Sequence, residues 1–450
     1  MAIPALALVA SAALSGCTDS SSAREVNAAM AGLLLTPSHP DPVCANHPGP
    51  AVFSRSNQVG TYNFSADALR AKTPGGPAAV VAVSGQTFEG RAFSNPDGTC
   101  LLLDGVTDIV VRGNRFVNCK QAIELRARPG LPLKNIRIHD NLIEKVNAGI
   151  HVTGVMEEYT ALSNARDISI HNNRIENIIA PATPTERHGG GIGFQFIRGC
   201  GLAATNNSIV NQDNLSAPSD LMNLFMSAGK DGDPIRFDYN LLRGGLIPSA
   251  YHTESSAGIV MGDGCLLTAD PNGPTFCDPK PEIFAEHQQA VGNVLINSGK
   301  NGIGIAGGRF IRAEDNIMYG SRTKYHAFFG LSMYDTRNHN CVVYGPDDPG
   351  CVPYDPEQPT CRNLTVRNNR VEWWLNECTP GVSVNADGTC GALNDQWRMR
   401  PQYRIWPNNR NPQVITYCGD VKGVDYATSS SPDSTNIFMD TTINPNDYPF

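Results

Sequence analysis

Apolar and polar residues alternate along most of this chain, and the alternation keeps returning to one short phrase. Ile136 and Ile138, then Leu142 and its neighbours, show apolar positions spaced by two with polar ones between. A period of two predicts β-strand, because an amphipathic helix would repeat near 3.6 residues. Each alternating stretch runs into a phrase centred on asparagine. The central residues are Asn114, Asn141, Asn173, Asn207, Asn240, Asn293, Asn316 and Asn369. A second alternating strand follows, usually opened by Gly and Ile, at 122–125, 149–152, 191–194, 258–261, 302–305 and 330–333.

Self-similarity at a period of tens of residues predicts a solenoid. The gaps between successive asparagines are 27, 32, 34, 33, 53, 23 and 53 residues, so a minimal coil is a little over 20 residues and most coils carry an insertion. Coils built from two or three short strands and stacked on themselves form a parallel β-helix. The asparagine has a physical role at a sharp corner. It tolerates a left-handed backbone, and its amide can bond the asparagine of the next coil, so that a buried ladder pairs itself. On these residues the chain resembles the right-handed parallel β-helix proteins of the pectate-lyase-like superfamily, over roughly residues 80–375. The resemblance implies an all-β fold and leaves the activity open. A leucine-rich repeat would need a leucine framework and a helical segment per repeat, and neither is visible.

The expected organisation has four parts: 1–16, 17–80, 81–375 and 376–450. Residues 2–14 are apolar and small, and Leu14 to Cys17 resembles the bacterial lipoprotein box, which implies a signal peptide ending before a lipidated Cys17. No Lys or Arg precedes the apolar run, so an ordinary secretory signal with an incidental cysteine stays open. The run is too short to span a bilayer. The resemblance implies an exported protein at the outer membrane, in the periplasm or on the cell surface, with the bacterial membrane as a partner through the lipid. Residues 23–35 read as a helix capped by Ser22 that closes the open end of the solenoid. Residues 36–80 are Pro-rich and irregular, and residues 376–450 lose the repeat and read as the far cap.

Thirteen cysteines fit export, since the twelve left after Cys17 could form up to six disulfides in an oxidising compartment. Cys265 with Cys277, and Cys378 with Cys390, are plausible local staples. No Cys-x-x-Cys occurs, which argues against zinc. The net charge is −8 and only 17% of residues are charged, so nucleic acid is a poor partner.

Insertions fall on the two sides of the Gly-Ile strands, at 178–190, 211–221, 243–257 and 319–328, and at 154–165, 263–285 and 335–361. Long loops beside one face of a rigid solenoid make a groove. Within those strands Ile123, Leu125, Ile150, Val152, Ile192, Phe194, Ile303 and Ile305 should point inward. Glu124, Arg126, His151, Thr153, Gly193, Gln195, Val260, Gly304, Ala306, Ser332 and Tyr334 should point out.

That face and its loops hold the candidate chemistry. Five Lys or Arg between 300 and 326 form a local basic excess that would suit a polyanion such as a uronic-acid polysaccharide. β-Elimination on a uronate needs its carboxylate neutralised, a base for the α-proton and an acid for the leaving oxygen. His151, His188, Tyr251, His252 and Lys300 are the candidates for proton transfer. Arg126, Arg322 and Lys324 are candidates to hold carboxylates, with Glu124, Gln195, Glu254, His326 and Tyr334 as further substrate contacts. Lys300 and Arg322 lie 22 residues apart, about one coil. Each of these also has a plain structural reading as a turn, ladder or loop residue. No cofactor is certain, although Asp231, Asp233 and Asp263 offer oxygen ligands for Ca²⁺. A hydrolase or epimerase would want Glu124, Glu186, Glu254 or Asp263 to converge. A non-catalytic binding or surface-attachment protein on the same scaffold is the remaining alternative.

Overall fold

The computed structural model describes residues 44, 64–128, 130–131, 133–154, 163–179, 189–212, 216, 218–244, 257–262, 285–298, 301–321, 330–334, 361–362, 364–373, 403–405, 421–422, 437–438 and 443–447. They form three parallel sheets wound from one chain. One coil illustrates the path. Leu133–His139 belongs to sheet C, Leu142–Val146 to sheet B and Ala148–Thr153 to sheet A. Each strand pairs in parallel with its counterpart one coil on: Ile136 with Ile168, Ile143 with Ile175, and Ile150 with Ile192. In the first coils Ala92–Asp104 and Arg115–Arg126 run through the corner and serve sheets A and B together.

Alternation dictates the interior. Ile123, Leu125, Ile150, Val152, Ile192, Phe194, Ile303 and Ile305 are all fully buried, as the period of two requires. Parallel pairing in register puts like residues on top of one another, so the core consists of columns. Phe93 and Phe116 stack with ring centres 4.7 Å apart. Each fully buried aliphatic side chain contributes about 1.5–3 kcal/mol relative to exposure.

The asparagine ladder runs unbroken from Asn114 to Asn369. Each Nδ2 donates to the Oδ1 of the next rung: Asn114 to Asn141, Asn141 to Asn173, Asn173 to Asn207, Asn207 to Asn240, Asn240 to Asn293, Asn293 to Asn316, and Asn316 to Asn369. The same Oδ1 also accepts the previous rung's backbone N–H, and all eight asparagines are fully buried. One detail differs from expectation. The left-handed residue is the one before each asparagine: Gly113, Asp140, Asn172, Asn206, Tyr239, Gly292, Asp315 and Asn368, with φ between 54° and 66°. That residue makes the turn, and the asparagine pairs the backbone groups that the turn leaves behind.

Glycine opens sheet A for want of space. A Cβ on Gly149 would lie 2.1 Å from the Gly191 carbonyl oxygen, one on Gly258 would lie 2.3 Å from that of Gly302, and one on Gly302 would lie 2.3 Å from that of Gly330. The corner between sheets B and A therefore brings successive backbones together where no side chain fits. Gly258→Ala is expected to cost about 1–3 kcal/mol, read as a lower urea midpoint, because a backbone carbonyl must shift to admit the methyl.

The helix expected at 23–35 lies outside the described residues. A helix does stand in the stretch read as irregular: α1, Ala66–Arg70, with the Ser65 hydroxyl accepting from the Ala68 N–H. Arg70 anchors it on sheet B through Glu176 at 2.6 Å and Glu144 at 3.3 Å. Arg115 binds Glu144 and donates to the Arg70 and Lys72 carbonyls. Two disulfides hold the described part, Cys44–Cys200 and Cys100–Cys119. Cys265, Cys277, Cys378 and Cys390 lie outside it.

The ladders also run on past residue 375. Tyr403–Ile405 adds to sheet A, Val421–Lys422 to sheet C and Ile437–Phe438 to sheet B, so a further coil stands in the stretch where the repeat was lost to view.

Candidate functional site

Sheet A carries two columns of alternate positions opposite its core face, and Gly193, Val260, Gly262, Gly304 and Ala306, expected or aligned there as exposed positions, are buried. Register places Glu124, His151, Gly193, Asn223, Val260, Gly304 and Ser332 in the first. Arg126, Thr153, Gln195, Phe225, Gly262, Ala306 and Tyr334 occupy the second. Four sequence candidates, Glu124, Arg126, His151 and Gln195, thus share one face on three adjacent coils. Tyr334 sits at a strand position of the same column. The coil carrying Asn223 and Phe225 lacks the signature of the others because its strand, Asp220–Phe225, has Leu221-Met222 where they have Gly-Ile. Most residues of the insertions expected to border this sheet lie outside the described residues.

His151 is the centre of the described face. Its Nε2 lies 3.2 Å from the Gly190 carbonyl oxygen. A carbonyl only accepts, so Nε2 carries the proton, and in the neutral ring the Nδ1 lone pair is left as the basic site. Nδ1 has no partner among the described residues. Burial pushes the imidazole below the ordinary histidine range, opposed by the Gly190 hydrogen bond and the Glu124 charge. Gly189 and Gly190 stand in close contact with neighbouring coils. A Cβ on Gly189 would lie 2.2 Å from that of Ala148, and one on Gly190 would lie 2.7 Å from the Asp220 carbonyl oxygen. These glycines let a backbone press against the His151 coil. The room is at Gly193, where a Cβ would sit 3.5 Å from His151 Cδ2 and 3.7 Å from both Asn223 O and Gln195 Nε2.

The charges of the face are already engaged. Glu124 accepts from Arg126 Nε at 2.6 Å and from Thr99 Oγ1 at 2.9 Å. That pairing, with Asp104 nearby, raises the Arg126 guanidinium pKa further. Arg128 grips Asp104 through two bonds, at 2.7 and 2.6 Å. Of the basic excess between 300 and 326, two members are among the described residues. Arg309 and Arg312 lie on sheet C, paired with Glu286 and Glu314. Lys300, Arg322 and Lys324 lie outside the described residues, as do His188, Tyr251, His252, Glu254, His326 and Cys17. Among the described residues no group of His, Cys, Asp or Glu is arranged to hold a metal. Asp233 is buried and accepts the Gly201 N–H, Asp231 joins no such group, and Asp263 lies outside the described residues.

Of the carboxylates of the hydrolase or epimerase alternative, Glu124 stands on the described face, and Glu186, Glu254 and Asp263 lie outside the described residues.

Residues 59–218 match the family described as right handed beta helix region. A solved structure titled as the complex of the alginate lyase AlyF-OU02 with G6 is similar at 12% identity, covering 74% of this chain and 79% of that one, with a TM-score of 0.30. No curated protein matches. With its three parallel ladders, the chain is an all-β, right-handed parallel β-helix.

Proposed function

We propose that this protein binds an acidic polysaccharide along the outer face of sheet A and cleaves it by β-elimination, with His151 as the base. The observation that carries the reading is the state of His151. Burial lowers its pKa, its Nε2 lies within hydrogen-bond reach of the Gly190 carbonyl, and Nδ1, across the ring from the Cδ2 that faces Gly193, is left as the basic atom. A base must be unprotonated at working pH and close to the proton it takes. Nδ1 removes the proton on the carbon next to the uronate carboxylate. The C–H electron pair becomes the ring double bond, the neighbouring C–O bond breaks, and the leaving oxygen takes a proton from water or from one of the other proton-transfer candidates, His188, Tyr251, His252 or Lys300. Gln195 can donate to the substrate carboxylate, and Lys300, Arg322 and Lys324 are the cations assigned to neutralise it. The lipoprotein-like leader supports an exported, membrane-tethered protein.

The mutual pairing of Glu124 and Arg126 favours a second reading, a non-catalytic polysaccharide-binding protein, because it leaves that acid and that cation satisfied without substrate. Incubation of the purified protein with uronic-acid polysaccharides, with and without Ca²⁺, separates the two. The lyase reading expects rising ultraviolet absorbance from the unsaturated uronate. Binding with no such rise and no new reducing ends would leave the binding protein.

A further inference from the structure

We infer that the two coils beyond His151 form a subsite for an uncharged pyranose residue, so that the substrate mixes neutral sugars with uronates. This rests on the polysaccharide reading above and narrows it. Phe225 faces outward next to Gln195 in register, and its ring meets Phe196 edge to face at 5.2 Å. Both rings are half-exposed. Phe196 has φ 57°, a backbone that bulky residues rarely adopt. Positive φ recurs at the corners of this solenoid, and the next coil holds Met226 at the same place with φ 44°. An aromatic pair at this position offers an apolar platform to the C–H face of a sugar ring.

The polar groups around the platform suit hydroxyls. Asn223 Nδ2 donates to Asp220 Oδ2 at 2.7 Å, which fixes the amide orientation. Its Oδ1 has no hydrogen-bond partner among the described residues and is covered, so a small shift of its neighbours must accompany the approach of a sugar hydroxyl that satisfies it. Gly193 keeps the floor low between Asn223 and His151, and the Gln195 amide borders it. Charge selects the kind of sugar. Residues 189–197 and 218–229 contain no Lys or Arg, so these strands bring no cation to a carboxylate. The uronate belongs nearer His151, and the ring on Phe225 should be neutral.

Calorimetric titration of the full protein tests this with three probes: a homopolymeric uronate oligosaccharide, an oligosaccharide alternating uronate with neutral sugar, and a neutral oligosaccharide. The alternating probe should bind tightest. Phe225→Ala should weaken it about tenfold, Phe225→Tyr should retain it, and the homopolymer should change little. Saturation-transfer NMR on the unaltered protein gives a readout independent of how the variants fold, and the neutral-ring protons should show the strongest transfer. Equal binding of homopolymer and alternating probe, with Phe225→Ala changing neither, would overturn the subsite and leave the polysaccharide reading standing. Absence of binding by all three probes would overturn both.

Discussion

Asn207→Leu is expected to destabilise the protein by about 3–5 kcal/mol, although leucine has nearly the shape of asparagine. The Asn207 side chain donates to Asn240 Oδ1 at 3.1 Å and to the Ile170 carbonyl at 2.9 Å. Its Oδ1 accepts the Asn173 N–H and Asn173 Nδ2, both at 3.0 Å. Leucine satisfies none of the four groups; Asn240 Oδ1 keeps the Asn207 N–H and Asn173 Nδ2 keeps the Ile138 and His171 carbonyls, while the Asn173 N–H loses its acceptor. The orphaned N–H costs about 1–3 kcal/mol, each other lost bond about 0.5–1.5 kcal/mol, and the apolar gain from one leucine offsets only part of this. Solenoid coils interact with their nearest neighbours, so the loss should be local at first. Urea unfolding should show the lower midpoint. Amide exchange should accelerate most around Asn173 and Asn240. A midpoint shift worth less than about 0.5 kcal/mol would mean that the ladder follows from the fold and does not sustain it.

His151→Gln is expected to lower kcat on a uronate polysaccharide by about 10²–10⁴-fold with little change in KM, the usual contribution of a general base. Glutamine can still donate to the Gly190 carbonyl, so packing and binding should survive while the basic lone pair is lost. The pH profile supplies a second readout. A base works only when unprotonated, and the folded pKa of His151 is lowered by burial. Activity should therefore hold as pH falls through the ordinary histidine value near 6.5 and decline only below it. An acid limb centred at 6.5 or above would contradict the buried, neutral imidazole. Unchanged kcat in His151→Gln would remove His151 from proton transfer altogether.

Much of this architecture was legible in the sequence because the solenoid repeats its physics. Alternation with period two identified the strands, and stacking in register made inward residues such as Ile150 and Phe194 readable one by one. The asparagine ladder was readable for the same reason, since a residue that returns at every corner must pair with itself. The position of the turn was misplaced by one residue. Its occupants vary among Gly, Asp, Asn and Tyr, and only the backbone angle unites them. Asp220–Phe225 was invisible as a strand because Leu221 stands where other coils have glycine. With it went Asn223 and Phe225, which the face depends on. The candidate site was legible in part. Glu124, Arg126, His151 and Gln195 follow from alternation alone. That Arg126 is bound to Glu124, and that Arg309 and Arg312 face another sheet, depends on which strand each occupies.

The central claim is that the outer face of sheet A is the working surface. The most direct measurement is a crystal structure of catalytically impaired His151→Gln soaked with a mixed uronate oligosaccharide. The account predicts sugar density crossing the coils from Glu124 to Phe225, with a uronate beside residue 151 and a ring over Phe225. Density confined to another sheet, or a fully occupied ligand elsewhere with sheet A bare, would contradict it.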